Sequence, residues 1–216
     1  MVKIAASVLN ADFSKWQEWL PELEKAKVDR IQWDVMDNKY VPNKGVDKKW
    51  LAELRNKTKI FFESHHMVLN PEKQVSEFAK MGSNMFIFHT ETTKEPLKLI
   101  EQIEKHEMKV GIAVNNKTPA EKIFPYLNKI DLALVMTVEA GFGGQSFVEK
   151  NLEKVHALRE KIDSEKLDCE IEVDGGIDAK TGALCVDAGV DVLVSGSGIF
   201  KHPKGIVEAI KELKFL

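Results

Sequence analysis

The sequence lacks the features that would assign it to a membrane or a secreted protein. No apolar run among its 216 residues is long enough to span a bilayer, so we expect neither a membrane-spanning helix nor a membrane partner. The chain enters its first apolar segment, Lys3 to Ser7, without the charged and apolar regions of a signal peptide. Both absences predict a cytoplasmic protein.

Cysteine is scarce and charge of neither sign dominates. Only Cys169 and Cys185 are present, and their spacing matches no metal-binding motif, which is typical of a protein from the reducing cytosol. Lys and Arg number 31 against 34 Asp and Glu, which gives a net charge of −3. Without an excess of basic residues, nucleic acid is not an expected partner.

What the sequence contains is an alternation of short apolar runs and amphipathic stretches. Eight runs predict β-strands, each followed by a predicted helix, including one that opens at Thr118-Pro119. Because no linker interrupts them, we predict one domain over residues 1–216, an α/β fold of the (β/α)8 TIM-barrel type. A doubly wound sheet is the alternative, but no G-x-G-x-x-G follows the first strand. The predicted strands are Ile4–Val8, Ile31–Met36, Ile60–His65, Met85–Phe88, Val110–Val114, Leu132–Met136, Ile171–Asp174 and Val192–Ser195.

Polar residues collect at the carboxyl ends of these strands, where barrels of this type hold their active sites. The lysines Lys3, Lys59 and Lys109 stand at the opposite ends, which argues against a Schiff-base aldolase. The residues at the carboxyl ends are Ser7, Asp34, Asp37, His65, His66, His89, Asn115, Thr137, Asp174 and Ser195.

Four of the polar residues share faces that could point into the barrel. If the faces of Gln32, Asp34, His65 and Asp174 point inward, their side chains converge and offer oxygen and nitrogen ligands for one divalent metal. The pattern leaves open the alternative that they are interior polar residues paired with one another. Asp174, which precedes Gly175-Gly176, likewise fits either a site carboxylate or a buried strand with a glycine turn.

Glycine-rich segments follow three consecutive strands. One glycine pair predicts only a turn, but three at neighbouring strand ends predict a phosphate site, because bare backbone N–H groups can approach an anion. We therefore expect a phosphorylated sugar as ligand. The segments are Ala140-Gly141-Phe142-Gly143-Gly144-Gln145, Gly175-Gly176 and Gly196-Ser197-Gly198.

Taken in order from Ile4 to Phe200, these residues resemble the ribulose-phosphate 3-epimerase family. The likeness covers nearly the whole chain, and the segments are specific when they occur jointly. They are Ser7-Val8-Leu9-Asn10-Ala11-Asp12-Phe13, Asp34-Val35-Met36-Asp37, Tyr40-Val41-Pro42-Asn43, His65-His66-Met67-Val68-Leu69-Asn70-Pro71, Gly141-Phe142-Gly143-Gly144-Gln145, Glu172-Val173-Asp174-Gly175-Gly176 and Gly196-Ser197.

The resemblance implies an isomerase of the pentose phosphate pathway that epimerises ribulose 5-phosphate and xylulose 5-phosphate at C3. Asp34 and Asp174 match the acid and base, which act through a cis-enediolate, and the family implies a homo-oligomer. Related chemistry on a ketohexose 6-phosphate, or a non-catalytic phosphosugar-binding barrel, are the alternatives. The residues that match substrate contacts are Ser7, His65, Gly141, Phe142, Gly143, Gly144, Asp174, Gly175, Gly176, Gly196 and Ser197.

Two further sets complete the resemblance. Met36, Met67 and Met136 match methionines that line the family's site, although their spacing fits ordinary core methionines nearly as well. The metal ligands match at Asp34, His65 and Asp174, but the fourth position carries Gln32 where the family has histidine. A carboxamide oxygen is a harder ligand than imidazole. The family implies zinc as the bound ion. Because the glutamine oxygen is harder than imidazole, manganese, iron(II), cobalt or magnesium are alternatives.

Overall fold

A closed barrel of eight parallel strands forms the centre of the structure, a computed structural model that describes residues 2–216. The strands are β1 (Lys3–Ser7), β2 (Arg30–Met36), β3 (Phe61–Met67), β4 (Met85–His89), β5 (Lys109–Val114), β6 (Leu132–Met136), β7 (Glu170–Asp174) and β8 (Val192–Ser195). Each strand pairs with the next one in sequence, and β8 closes the sheet by pairing with β1. The predicted TIM barrel is confirmed.

Helices cover the outside of this barrel and bury the outward faces of its strands. None of the helices within residues 2–216 combines the length and the apolar character that crossing a bilayer requires. The α-helices are α1 (Trp16–Lys25), α2 (Lys49–Arg55), α3 (Val75–Lys80), α4 (Pro96–Glu104), α5 (Leu152–Glu165), α6 (Ala179–Asp187), α7 (Ser197–Phe200) and α8 (Ile206–Lys214).

The connection between β5 and β6 differs from the prediction. Two 3-10 segments, Ala120–Lys122 and Phe124–Lys129, replace the α-helix predicted to open at Thr118-Pro119. Pro125 lies in the second segment, and proline lacks the N–H that a continuous α-helix needs. The connection still covers the barrel, because Ile123 and Leu127 are buried.

Alternation along β7 separates an apolar outer face from an acidic inner face. Ile171 and Val173 are fully buried beneath the helices. Glu172 and Asp174 point into the barrel, where Glu172 contacts Arg30 of β2 and Asp174 contacts Gln32 of the same strand. The acidic face of this strand therefore meets polar groups along its length, and only its last residue reaches the open end of the barrel.

Strand register brings the candidate residues to the same height. Asp34 lies beside His65 in the pairing of β2 with β3, and Asp174 lies beside Met136 in the pairing of β6 with β7. These positions are at or near the carboxyl ends of their strands. The barrel thus presents Asp34 and Asp174 from two strands to one opening.

Candidate active site

Asp34 is a buried side chain at this opening and is fixed by hydrogen bonds. Its Oδ2 accepts a hydrogen bond of 2.6 Å from the Ser7 hydroxyl, and its Oδ1 lies 3.2 Å from Nδ1 of His65. Burial raises the pKa of Asp34, and the Asp174 carboxylate adds to the effect, whereas the bonds from His65 and Ser7 oppose it. Asp34 is therefore a buried carboxyl group whose pKa lies above that of a solvated aspartate.

Gln32 joins the two aspartates. Its Nε2 donates to Oδ2 of Asp174 at 2.8 Å and to Oδ1 of Asp34 at 3.1 Å. Its Oε1 is buried and finds no hydrogen-bond partner within residues 2–216. The atom predicted as a metal ligand thus faces away from the carboxylates, and the amide nitrogen takes its place. A 180° rotation of the amide would exchange the two, since they are nearly isosteric.

His65 completes the cluster from β3. Its Nδ1 lies 3.4 Å from Oδ2 of Asp174 as well as close to Asp34, and the side chain is fully buried. Burial lowers the pKa of His65, but the hydrogen bonds to Asp174 and Asp34 outweigh burial and raise it to about 9. Without a metal, a proton on Nδ1 therefore holds the two carboxylates together.

The donor set is compatible with a divalent ion. Asp34, His65 and Asp174 each offer a ligand atom, and these atoms lie within 4.8 Å of one another. The partnerless Oε1 of Gln32 is a fourth ligand atom that amide rotation would bring towards them. Two carboxylates, one imidazole and one carboxamide oxygen suit a cation that accepts mixed oxygen and nitrogen ligands.

The glycine segments after β6, β7 and β8 line one pocket together with both aspartates. Ser7 and the three predicted methionines also line it, so the structure brings all of these predicted residues together. Gln32 and His65 lie below and contact the aspartates. The predicted residues that line the pocket are Ser7, Asp34, Met36, Met67, Met136, Gly141, Phe142, Gly143, Gly144, Asp174, Gly175, Gly176, Gly196 and Ser197.

Other residues at the strand ends hold the surrounding loops. Asp37 accepts hydrogen bonds of 2.8 Å from the backbone N–H groups of Lys39, Tyr40 and Leu69, which fixes the loop after β2. The next residue after Asp37, Asn38, adopts a left-handed φ of 56°. Asp37 therefore supports the rim of the pocket but does not line it.

His66, Thr137 and Ser195 are structural as well. His66 stacks on Phe86 with ring centroids 3.6 Å apart, and burial lowers its pKa to about 3. The hydroxyl of Thr137 donates to the carbonyl of Gly175 at 2.7 Å, which fixes the glycine turn beside the carboxylates. The Ser195 hydroxyl donates to the Ile177 carbonyl at 2.7 Å and joins the loops after β7 and β8.

The ribulose-phosphate 3-epimerase family model matches residues 3–200 of the chain. This chain belongs to that family. Curated members are similar over nearly the full length. The Schizosaccharomyces pombe ribulose-phosphate 3-epimerase is 38% identical over 215 residues, which cover 98% of this chain and 92% of the relative. The Escherichia coli protein of the same name is 35% identical over 201 residues, which cover 93% of this chain and 89% of the relative. The predicted isomerase class is confirmed.

Solved structures with the same fold are more distant in sequence. The crystal structure of KGPDC from Streptococcus mutans superposes with a TM-score of 0.75 at 16% identity, covering 100% of this chain and 96% of that one. The 3-hexulose-6-phosphate synthase of Salmonella typhimurium gives a TM-score of 0.71 at 14% identity, covering 99% and 97%. At such identities the likeness is one of fold alone.

In this member of the epimerase family, sequence reasoning misses two residues beside the pocket. Alternation and strand ends place His89 at the rim without assigning it to the site, and its Nε2 lies 2.9 Å from Nε2 of His65. Asn10 lies between two glycine segments, since a Cβ on Gly143 would meet its Oδ1 at 2.4 Å and one on Gly196 would meet it at 3.1 Å. The sequence could have pointed to Asn10 only through the segment Ser7 to Phe13, which resembles the family.

Proposed function

We propose that this chain epimerises a ketopentose 5-phosphate at C3, interconverting ribulose 5-phosphate and xylulose 5-phosphate. The observation that carries the proposal is the pair Asp34 and Asp174, which reach one opening from β2 and β7 and are joined through His65. Epimerisation needs a base on one face of the reacting carbon and an acid on the other, and two carboxyl groups from separate strands supply them.

In the proposed reaction, one aspartate takes the C3 proton and the other returns a proton to the opposite face. The intermediate between the two transfers is a cis-enediolate. Burial of Asp34 raises its pKa towards the working pH, which suits a group that must both take and give a proton. Met36, Met67 and Met136 form an apolar wall that would keep water from the enediolate.

The phosphate is proposed to bind the backbone of the three glycine segments. At Gly176 an added Cβ would lie 2.8 Å from the backbone N of Phe147, and the φ of 68° is left-handed. The loops after β6 and β7 therefore touch at a point where only glycine fits. Bare backbone at such a point leaves N–H groups within reach of an anion.

A Gly176→Ala substitution tests this assignment. Its Cβ would push the Phe147 backbone outward, and because a displacement near 1 Å at a binding site can cost on the order of a hundredfold, we expect KM for the sugar phosphate to rise about ten- to a hundredfold. Gly205→Ala is the matched control, since its φ of 85° is also left-handed, nothing within residues 2–216 lies within 4 Å of its Cβ, and it lies outside the three glycine segments. Equal KM values in the two variants would contradict the proposal.

A divalent metal would be held by Asp34, His65 and Asp174, with the oxygen of Gln32 as a fourth donor. When bound, it would supply Lewis-acid stabilisation of developing negative charge, a contribution of several kcal/mol in enzymes of this kind. The identity of the ion stays a prediction, with zinc implied by the family and manganese, iron(II), cobalt or magnesium by the glutamine.

The proposed activity is tested by exchange of the C3 proton. Incubation with ribulose 5-phosphate in D2O, with zinc or manganese added, should incorporate deuterium at C3 and form xylulose 5-phosphate. A ketohexose 6-phosphate run in parallel decides the length of the substrate. Absence of exchange with either metal, despite binding of the sugar phosphate, would instead support a non-catalytic binding barrel.

Gln32→His is expected to tighten zinc binding. In the present chain the amide must give up its hydrogen bonds to Asp34 and Asp174 before the oxygen can turn towards a metal. A hydrogen bond to a charged group contributes about 1.5–3 kcal/mol, so removing this competition should lower the Kd for zinc about ten- to a hundredfold. Imidazole is also the softer ligand, which favours zinc over magnesium.

Competition with a chromophoric chelator measures the change for zinc and magnesium in both proteins. A Gln102→His variant is the control, because Gln102 donates to the Glu72 carbonyl far from the aspartates. If Gln32→His leaves the Kd for zinc unchanged, the glutamine is not a weak point of the metal site.

Domain organisation, location and assembly are proposed on separate grounds. We infer one domain over residues 1–216, because β1 and β8, from opposite ends of the chain, pair directly. A cytoplasmic location is supported by a rice relative, 37% identical, that is described as a cytoplasmic isoform. A homo-oligomer is an expectation from the family resemblance.

A further inference from the structure

A second set of polar residues lies behind the aspartates, at the end of β4. His89 and His65 are both fully buried, and their rings are within 18° of parallel with Nε2 atoms 2.9 Å apart. At this distance one nitrogen must carry the proton and the other must accept it. The proton positions on the two rings are therefore linked.

The other nitrogen of His89 decides the direction of this hydrogen bond. Nδ1 of His89 lies 3.4 Å from Oε2 of Glu91 and 3.2 Å from the hydroxyl oxygen of Tyr40. That hydroxyl donates its own hydrogen to Glu91 at 3.4 Å, and the Asn115 amide points a donor at its oxygen at 3.5 Å. Because the Glu91 carboxylate only accepts, an N–H on Nδ1 of His89 is attracted to it, whereas a lone pair on Nδ1 that accepted from Tyr40 would face its negative charge. Nδ1 of His89 therefore carries the proton, and Nε2 of His89 is an acceptor.

The consequence reaches the site through His65. With Nε2 of His89 as acceptor, Nε2 of His65 must be the N–H donor. Nδ1 of His65, which faces Asp34 and Asp174, is then the nitrogen that would give up its proton to a metal and present a lone pair, while Nε2 keeps its proton. A neutral histidine in this tautomer is oriented to ligate a metal through Nδ1.

We propose that Glu91 and His89 are positioning residues that fix His65 in the tautomer whose Nδ1 takes the metal, which rests on the metal site of the proposed function. The carboxylate acts through one imidazole on a second, and neither Glu91 nor His89 lines the pocket. Glu91 is well placed for this role, since its Oε1 is anchored by the backbone N–H of Asn115 at 3.0 Å. The turn that carries Glu91 is held by the Thr92 hydroxyl, which donates to the His89 carbonyl at 2.8 Å.

Glu91→Gln reverses the direction of the chain of hydrogen bonds without changing its shape. The backbone N–H of Asn115 would retain the amide oxygen, so the new NH2 group would face Nδ1 of His89 and Tyr40. Nδ1 of His89 would then have to accept, and Nε2 of His89 would carry the proton towards His65. Nε2 of His65 would then have to accept, so the proton of His65 would stay on Nδ1, the nitrogen that the metal needs.

The experiment measures metal affinity and proton position separately from turnover. Because loss of such supporting groups costs about 10–100-fold in metal affinity, we expect Glu91→Gln to raise the Kd for Zn2+ and Mn2+ by that factor in chelator competition. Nitrogen-15 NMR of the metal-free histidine-labelled protein should show the acceptor nitrogen of His89 moving from Nε2 to Nδ1. Glu95→Gln is the control, since Glu95 follows β4 but pairs with Lys98 at the surface.

Two further outcomes complete the test. Tyr40→Phe removes the hydroxyl but keeps the Glu91 carboxylate, so the tautomer of His89 should remain that of the wild type. Unchanged Kd values in Glu91→Gln, weaker binding without a change of tautomer, or a wild-type chain that binds neither ion would overturn the proposal. The epimerase function is judged independently, because it fails only if the wild-type protein with metal added does not exchange the C3 proton.

Discussion

Asp34→Asn and Asp174→Asn are each expected to slow epimerisation strongly but to retain exchange of the C3 proton on one face. Because general acid–base groups contribute about 10²–10⁴-fold to rate, kcat should fall by that factor in either variant. An amide of nearly the same shape replaces the carboxyl, so the barrel should fold. The two residues reach the pocket from separate strands, β2 and β7, and each would serve one face of C3.

Deuterium exchange distinguishes this arrangement from a single-base mechanism. With one aspartate removed, the remaining one should still take the C3 proton of one of the two pentulose phosphates. It should then return a deuteron from D2O to the same face. Asp34→Asn and Asp174→Asn should thus retain exchange with different epimers. Since both residues are also proposed metal ligands, metal content is measured beside exchange.

Asp37→Asn is the matched control for these variants. Asp37 stands three residues after Asp34 in the same segment, but its carboxylate accepts backbone N–H groups of the loop after β2. Its replacement should alter the stability of that loop and preserve exchange with both epimers. If Asp34→Asn and Asp174→Asn retain exchange with the same epimer, the two-sided assignment is wrong.

The position of the aspartates could be predicted because two simple rules fix it. Alternation determines which side chains of a strand point inward, and parallel strands end at the same face of a barrel. Asp34, His65 and Asp174 satisfy both rules, and the structure places their ligand atoms within 4.8 Å of one another. No contact between distant segments had to be known in advance.

The features of the candidate site that the sequence does not predict depend on side-chain orientation. Whether Gln32 turns its oxygen or its nitrogen to the carboxylates depends on which atom finds better partners, and the two aspartates select the nitrogen. The contact between His65 and His89 likewise depends on ring orientation across the pairing of β3 and β4. Alternation gives the face of a residue but not the direction of its polar atoms.

Arg30 shows how a small error at a strand boundary can hide a functional layer. The predicted second strand begins at Ile31, which leaves Arg30 off the inward face, whereas β2 begins at Arg30. In the structure its guanidinium lies 3.1 Å from Glu63 and 3.4 Å from Glu172, and it also pairs with Glu170. One buried cation therefore pairs with the acidic inner face of β7 below the active site.

Arg30→Met is expected to cause the largest loss of stability among these substitutions. The Glu63 and Glu172 side chains are 0% exposed and would lose their only cationic partner within residues 2–216. Because removing one member of a buried ion pair costs about 3–5 kcal/mol, the free energy of unfolding should fall by that amount in chemical denaturation. Lys3→Met is the control, since Lys3 pairs with Glu170 from a position 50% exposed and should cost only about 0–1 kcal/mol.

The pH dependence of this loss identifies its origin. Burial raises the pKa of Glu63 to about 7 and that of Glu172 well above its usual value, while Arg30 opposes both shifts. Both groups therefore bind protons more tightly in the folded state, and the stability they contribute is present at low pH and lost as pH rises through the folded pKa. Without Arg30 both pKa values should rise further, so the variant should approach wild-type stability near pH 5 and fall furthest below it near pH 8. A deficit that does not change with pH would instead assign the loss to packing of the Arg30 side chain.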